Sequence, residues 1–109
     1  MIFMLNGMLT GGSAAVPRAD GLAIDYLEIQ ERGGGSTRLN NVCAAPEVAS
    51  ILKIGASARF FFRDVGSTNR LLGIERADGP QAFDLQDATV DILHKYVALV
   101  SGGNPADRA

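Results

Sequence analysis

The stretch Arg59-Phe60-Phe61-Phe62-Arg63 holds the residue types best suited to gripping a ligand. On a strand buried on one face, Phe60 and Phe62 turn inward and Phe61 points out between two guanidiniums. An exposed ring flanked by arginines suits single-stranded nucleic acid, because bases stack on the ring while the cations take the phosphates. Arg70 on the next strand and Arg38 on a glycine-rich hairpin extend the set. The candidate nucleic-acid surface is therefore Arg38, Arg59, Phe61, Arg63 and Arg70. The competing expectation buries Phe61 under the last helix and pairs Arg59 and Arg63 with Asp87 or Asp91.

Other chemistry is sparse. "ERGGGSTRLNN", Glu31 to Asn41, looks like a phosphate loop, but it lacks the lysine of a P-loop and the helix that must follow one. Gly33, Gly34 and Gly35 instead supply the backbone freedom of a tight turn between antiparallel strands. The chain has one cysteine, Cys43, and one histidine, His94. A Ser–His–Asp or Cys–His site would have to use His94, whose neighbours at helical spacing are Val90, Asp91, Val97 and Ala98. Asp87 and Asp91 stand one helical turn apart, the pattern of a solvated face. One Cys and one His cannot build a structural zinc site of the common kinds. No catalytic residue, metal or cofactor is expected, and the reading is that the protein is not an enzyme.

Composition sets the frame. A chain of 109 residues, 47% hydrophobic and 20% charged, is one ordinary globular domain. A single cysteine allows no internal disulfide. The N-terminal "MIFMLNGMLTGGSAA" lacks a basic region and its apolar run breaks at Asn6 and Gly7, so it does not read as a secretion signal. No apolar stretch is long enough for a membrane-spanning helix. The expected location is cytoplasmic. Net charge is −2, but residues 32–76 carry seven basic and three acidic residues while both ends are acidic. Such a basic middle suggests either a partner surface or pairing between the segments.

The elements that must position these residues follow from periodicity. Met1–Thr10 reads as a strand broken at Gly7, and Gly11–Gly21 as a loop. Leu22–Gln30 is a strand with Leu22, Ile24 and Tyr26 on one face. Its apolar phase then shifts to Leu27 and Ile29, which predicts a bulge. Thr37–Cys43 is the next strand. Ala45–Lys53 reads as a short helix, with Pro46 at its first position, Glu47 in its first turn, and Gly55 ending it. Ala58–Asp64 and Arg70–Arg76 form a hairpin, and Gln81–Asp84 a short strand. Leu85–Ser101 reads as an amphipathic helix whose apolar arc is wider than one domain's core requires. Val90, Leu93, Val97 and Val100 supply the surplus and mark a partner interface.

The element order β-β-β-α-β-β resembles that of the OB-fold, a small partly open barrel with a helix between its third and fourth strands. The expected fold class is mainly β with α (α+β): a small five- or six-stranded antiparallel barrel of OB-like order with a C-terminal helix. Residues 1–101 form the single domain and 102–109 a disordered tail. The expected function is a non-catalytic protein-interaction or self-association module, as a homodimer or with a protein partner. The alternative is a single-stranded nucleic-acid-binding barrel.

Overall fold

The structure is a computed structural model, and it describes residues 1–19 and 21–84. They form β1 (Ile2–Gly12), β2 (Ala15–Arg18), β3 (Gly21–Glu31), β4 (Ser36–Ala44), α1 (Pro46–Ala49), β5 (Ser57–Val65), β6 (Thr68–Arg76) and β7 (Gln81–Phe83). The expected order is present. β2 is an addition inside the segment read as a loop, and β7 is the short strand anticipated at Gln81. The helix read over Leu85–Ser101, its partner face Val90, Leu93, Val97 and Val100, and the tail 102–109 lie outside the described residues. No described helix is long and apolar enough to cross a membrane.

β1 is shared between two ladders. Its residues Ile2–Met8 pair antiparallel with β5, and Gly7–Gly12 pair antiparallel with β3. β3 pairs antiparallel with β4, and β5 with β6. β4 and β6 then meet in parallel over Val42–Ala44 and Asn69–Leu71. The hydrogen-bonded neighbours therefore run β1-β5-β6-β4-β3 and return to β1, a ring of pairings in a small, mostly β structure.

Gly7 is the residue at which β1 changes partner: it stands opposite Ala58 on one side and Glu31 on the other. The sequence suggested a break there, but the strand runs through. A side chain is what the position cannot hold. A Cβ on Gly7 would lie 2.8 Å from the carbonyl carbon of Gln30 and 2.9 Å from Glu31 Cα, and closer still to the Gln30 oxygen.

The phase shift foreseen in the second long strand is real, though the irregular residues sit in its neighbours. β3 buries Ile24, then Leu27 and Ile29, while β4 buries Leu39, then Val42 and Ala44. Both strands thus switch inward faces between the pairs Ile24–Val42 and Leu27–Leu39. Asn41, at φ 52°, takes the left-handed conformation at the switch, which asparagine tolerates better than most residues. A separate register shift falls in β1 between Leu9 and Gly11. The hairpin glycines act as expected: Gly34 and Gly35 have φ of 97° and 82°, and the Gly34 N–H donates to Glu31 O at 3.0 Å.

Inside the ring, Leu27, Ile29, Phe60, Phe62, Leu71 and Ile74 are buried together, with Phe3 stacked on Phe62 at 5.4 Å between ring centroids. α1 lies beside β6, β7 and β3 and adds the fully buried Val48. This helix is a single turn, shorter than the span read from sequence. The Ser50 N–H still reaches Pro46 O, but Ile51 and Leu52 donate to carbonyls only three residues back. The Ser50 hydroxyl bonds Glu47 O and so competes locally with the helix. Ile51 and Leu52 keep their place against the core without being helical.

Past β6, Arg76 grips Asp78 with two guanidinium nitrogens, Nε donating to Oδ1 at 2.9 Å and Nη2 to Oδ2, while Nη1 donates to Ile51 O at 3.3 Å. The hydrogen bond from Arg76 holds the Asp78 carboxyl below the usual aspartate range. A carboxyl depressed in the folded state adds stability above its unfolded pKa and loses it as pH falls through its folded pKa. Asp78 is exposed, so the contribution is small. A carbon-detected NMR titration of Asp78 should give a midpoint below that of a peptide aspartate, and Arg76→Gln should return it to the ordinary range.

Candidate functional site

Two surfaces matter: the outer side of β5 and β6, where the sequence placed most of the arginines, and the outer side of β3 and β4.

Along β5 and β6 the arginines are engaged. Arg59 Nη2 lies 3.1 Å from Glu75 Oε1. Arg70 donates Nε and Nη2 to Asp84 Oδ2 at 3.0 and 2.6 Å and Nη1 to Cys43 Sγ at 3.5 Å. The Asp84 carboxylate has no exposed surface. Partial burial pulls the Arg70 guanidinium down, but the hydrogen bond and charge of Asp84 outweigh it and raise its pKa above the ordinary value. Arg63 is half-buried and stands opposite Arg70 in the ladder.

Phe61 does not point into solvent. It has no exposed surface, its ring lies 5.8 Å from that of Phe83, and it clusters with Leu72, Ile2 and Met4. At the register shift between Phe61 and Phe62, β6 carries the extra residue Leu72, which packs with Ile2, Met4 and Phe83 on the second face of β5. Phe61 therefore offers no stacking platform: of the two expectations, exposure is corrected and burial is found, while the helix expected to cover it lies outside the described residues. Arg38 stands apart on β4, so the five residues named from sequence do not form one surface.

Cys43 is half-buried beside Arg70. His94, Asp87 and Asp91 lie outside the described residues. Among the described residues, no group of three or more His, Cys, Asp or Glu side chains is placed to share a metal.

The outer side of β3 and β4 is organised differently. The Arg38 guanidinium lies 3.9 Å above the Tyr26 ring and its Nε donates to Asn40 Oδ1 at 3.2 Å. Tyr26 faces Asn40 across the ladder, and Arg38 faces Glu28. The sequence grouped Tyr26 with Leu22 and Ile24. The phase shift at Leu27 is the signal that turns it outward, because once Leu27 is inside its neighbour must be outside.

The edge of this surface is open. Among the described residues, β4 has strand partners on both sides only at Val42–Ala44, and Ser36–Asn40 pair with β3 alone. The Asn40 carbonyl is turned away from β3, since it accepts from Asn69 Nδ2 at 2.9 Å. In an antiparallel ladder alternate residues share that direction, so Arg38 and Ser36 present N–H and C=O to the same open side. Ser36, Arg38 and Asn40 are all exposed. At the closed end, Asn69 caps Asn40 O and Asn41 Nδ2 donates to Ser67 O at 3.2 Å, so the two asparagines seal the junction with the β5–β6 turn.

The other outer edge is guarded. All of β2 is exposed, and Pro17 removes an N–H from it. Proline on an edge strand discourages further pairing. β4 carries no proline.

Compared with protein-family models, with curated proteins and with solved structures, the chain matches none of them.

Proposed function

We propose that this chain is a non-catalytic protein-interaction module on an OB-like barrel, and that it takes an extended partner segment as an added strand along the open edge of β4. The observation that carries the reading is the main chain of Ser36 and Arg38, with the Asn40 N–H, which pairs with no second strand among the described residues. Strand addition uses such an edge, with main-chain hydrogen bonds for affinity and flanking side chains for specificity. The order β1-β3-β4-α1-β5-β6, with β4 and β6 parallel, supports the OB-like reading. In that architecture ligands lie over the second and third strands, which correspond to β3 and β4.

The flanking side chains select the occupant. Arg38 is the cation beside the edge and favours an acidic residue on the partner's outer face. Leu39, buried on the inner face, favours an apolar one. A second copy fits less well: twofold antiparallel pairing centred on Arg38 would set two guanidiniums opposite each other, and like charges directly opposed are destabilising. Single-stranded nucleic acid is the second reading, supported by the Tyr26 ring beneath Arg38.

The test uses Arg38→Pro. The Arg38 N–H faces the open side, so proline should leave the ladder with β3 intact and remove one edge donor. Selection of random decapeptides against the wild-type chain should enrich sequences alternating acidic and apolar residues. Arg38→Pro should melt close to wild type and lose those peptides by at least about tenfold, the loss of one edge hydrogen bond and one charge contact. Enriched peptides that bind the proline variant equally would sink the proposal. Salt-sensitive binding of mixed-sequence single-stranded DNA that depends on Tyr26 would favour the second reading.

A further inference from the structure

A further stretch of strand edge is open, on β1. Ile2–Asn6 pair with β5 on one side, and pairing with β3 on the other begins only at Gly7. The two ends of the stretch fix the direction of its main chain. The Met1 carbonyl accepts from the Asp64 N–H at 2.9 Å, so Met1 faces β5. The Asn6 carbonyl accepts from the Arg32 N–H at 2.9 Å, so Asn6 faces the other way. Directions alternate along an antiparallel ladder, so Phe3 and Leu5 bond β5 while Ile2 and Met4 present N–H and C=O to the open side. Among the described residues, no main-chain hydrogen bond reaches Ile2 or Met4 from that side.

This edge lacks the devices that usually guard one. Ile2-Phe3-Met4-Leu5 holds no charge and no proline, and its register with β5 runs unbroken from Ile2 to Met8. By contrast, β2 has Pro17 and β4 has Arg38. The stretch is also apolar on both faces. Ile2 and Met4 lie against Phe61 and Leu72 on the outer side, and Phe3 and Leu5 lie against the main core on the inner side. All of these β1 side chains are only half-buried. The complement of such an edge is an uncharged strand, apolar on both faces, and β1 is itself that strand.

We infer that two copies of the chain pair through β1, antiparallel about a twofold axis at Phe3. The register follows from Asn6. A pairing centred on Met4 would set Ile2 against the partner's Asn6, whose carbonyl Arg32 already occupies. A pairing centred on Phe3 stays within the free stretch. It sets Ile2 opposite the partner's Met4 and Met4 opposite the partner's Ile2, each pair exchanging both main-chain bonds. Phe3 meets the partner's Phe3 in the closer, non-hydrogen-bonded kind of pair, where aromatic side chains support pairing across strands. No like charges meet, unlike in a twofold pairing of β4 at Arg38. The interface is isologous, and the two β1–β5 ladders join into one sheet across the axis.

Sedimentation equilibrium of the full chain from about 5 to 500 μM should show monomer and dimer with a dissociation constant on the order of 10–100 μM, since so short a pairing falls below the standard interface size. Ile2→Pro removes an N–H that faces the open side and none that β5 uses, so it should melt close to wild type and raise that constant by at least about tenfold. Hydrogen exchange locates the contact without a variant: between about 50 and 500 μM the Ile2 and Met4 amides should slow by about twofold, while the Arg38 amide does not change. A chain that stays monomeric at about 500 μM overturns the inference. So does a dimer whose Ile2 and Met4 amides exchange alike at both concentrations, or one that folded Ile2→Pro leaves intact. Arg38→Pro should dimerise as the wild type does; a dimer lost in that variant would belong to β4 and overturn the inference as well.

Discussion

Phe61→Ala should lower the free energy of unfolding by about 3–5 kcal/mol, the range for deleting a fully buried phenylalanine ring. Phe61 has no exposed surface and packs with Leu72, Ile2, Met4 and Phe83. Truncation removes the ring contact with Phe83 and leaves a void beside Leu72, which is itself fully buried. A small domain has only about 5–15 kcal/mol to lose, so the variant should be marginal at room temperature. Phe61→Leu keeps most of the buried volume and should recover more than half of the loss. Urea unfolding of the three proteins measures this directly. A Phe61→Ala protein as stable as wild type, but unable to bind single-stranded DNA that the wild type binds, would mean that the ring is a stacking platform after all.

The second large effect is expected at Gly7. Gly7→Ala should cost about 3 kcal/mol, the upper part of the usual range for overpacking. The added methyl meets main chain, not a flexible side chain: the Gln30 carbonyl group and Glu31 Cα. Relief requires β1 and β3 to separate, and that ladder is one of the pairings that complete the ring. Gly33→Ala is the control. A Cβ there meets nothing within 4 Å and its φ is not positive, so the change should be neutral or stabilising by up to about 1 kcal/mol through the unfolded chain. Equal melting temperatures for Gly7→Ala and Gly33→Ala would refute the close approach at Gly7.

Several strands could be read from local pattern because a face buried more deeply than the other writes a period of two into the chain. Ala58, Phe60 and Phe62 on one side, with Arg59 and Arg63 on the other, identified β5 without reference to any neighbour. The turns were legible for a similar reason, since Gly34, Gly35 and Gly66 sit at positive φ where few other residues are comfortable. Pro46 marked the start of α1. Its end was not legible, because the competition between the Ser50 hydroxyl and the helix is settled by where Ile51 and Leu52 must pack.

β2 left no trace in the pattern. Ala15, Val16, Pro17 and Arg18 are exposed, so no apolar alternation exists to detect, and the strand forms because Gly21–Ile24 offer it a template. The candidate site divides the same way. Arg38 was visible as a cation on a hairpin, and the phase shift at Leu27 already implied a bend. Which side of that bend Tyr26 faces, that Phe61 is enclosed on the second face of β5, and that β4 is paired for only three of its nine residues on the β6 side were decided by tertiary structure. The physical reason is that alternation records only whether a side chain is wet or dry. Which strand lies alongside, and where that pairing stops, depends on contacts between residues far apart in sequence, and no local period records them.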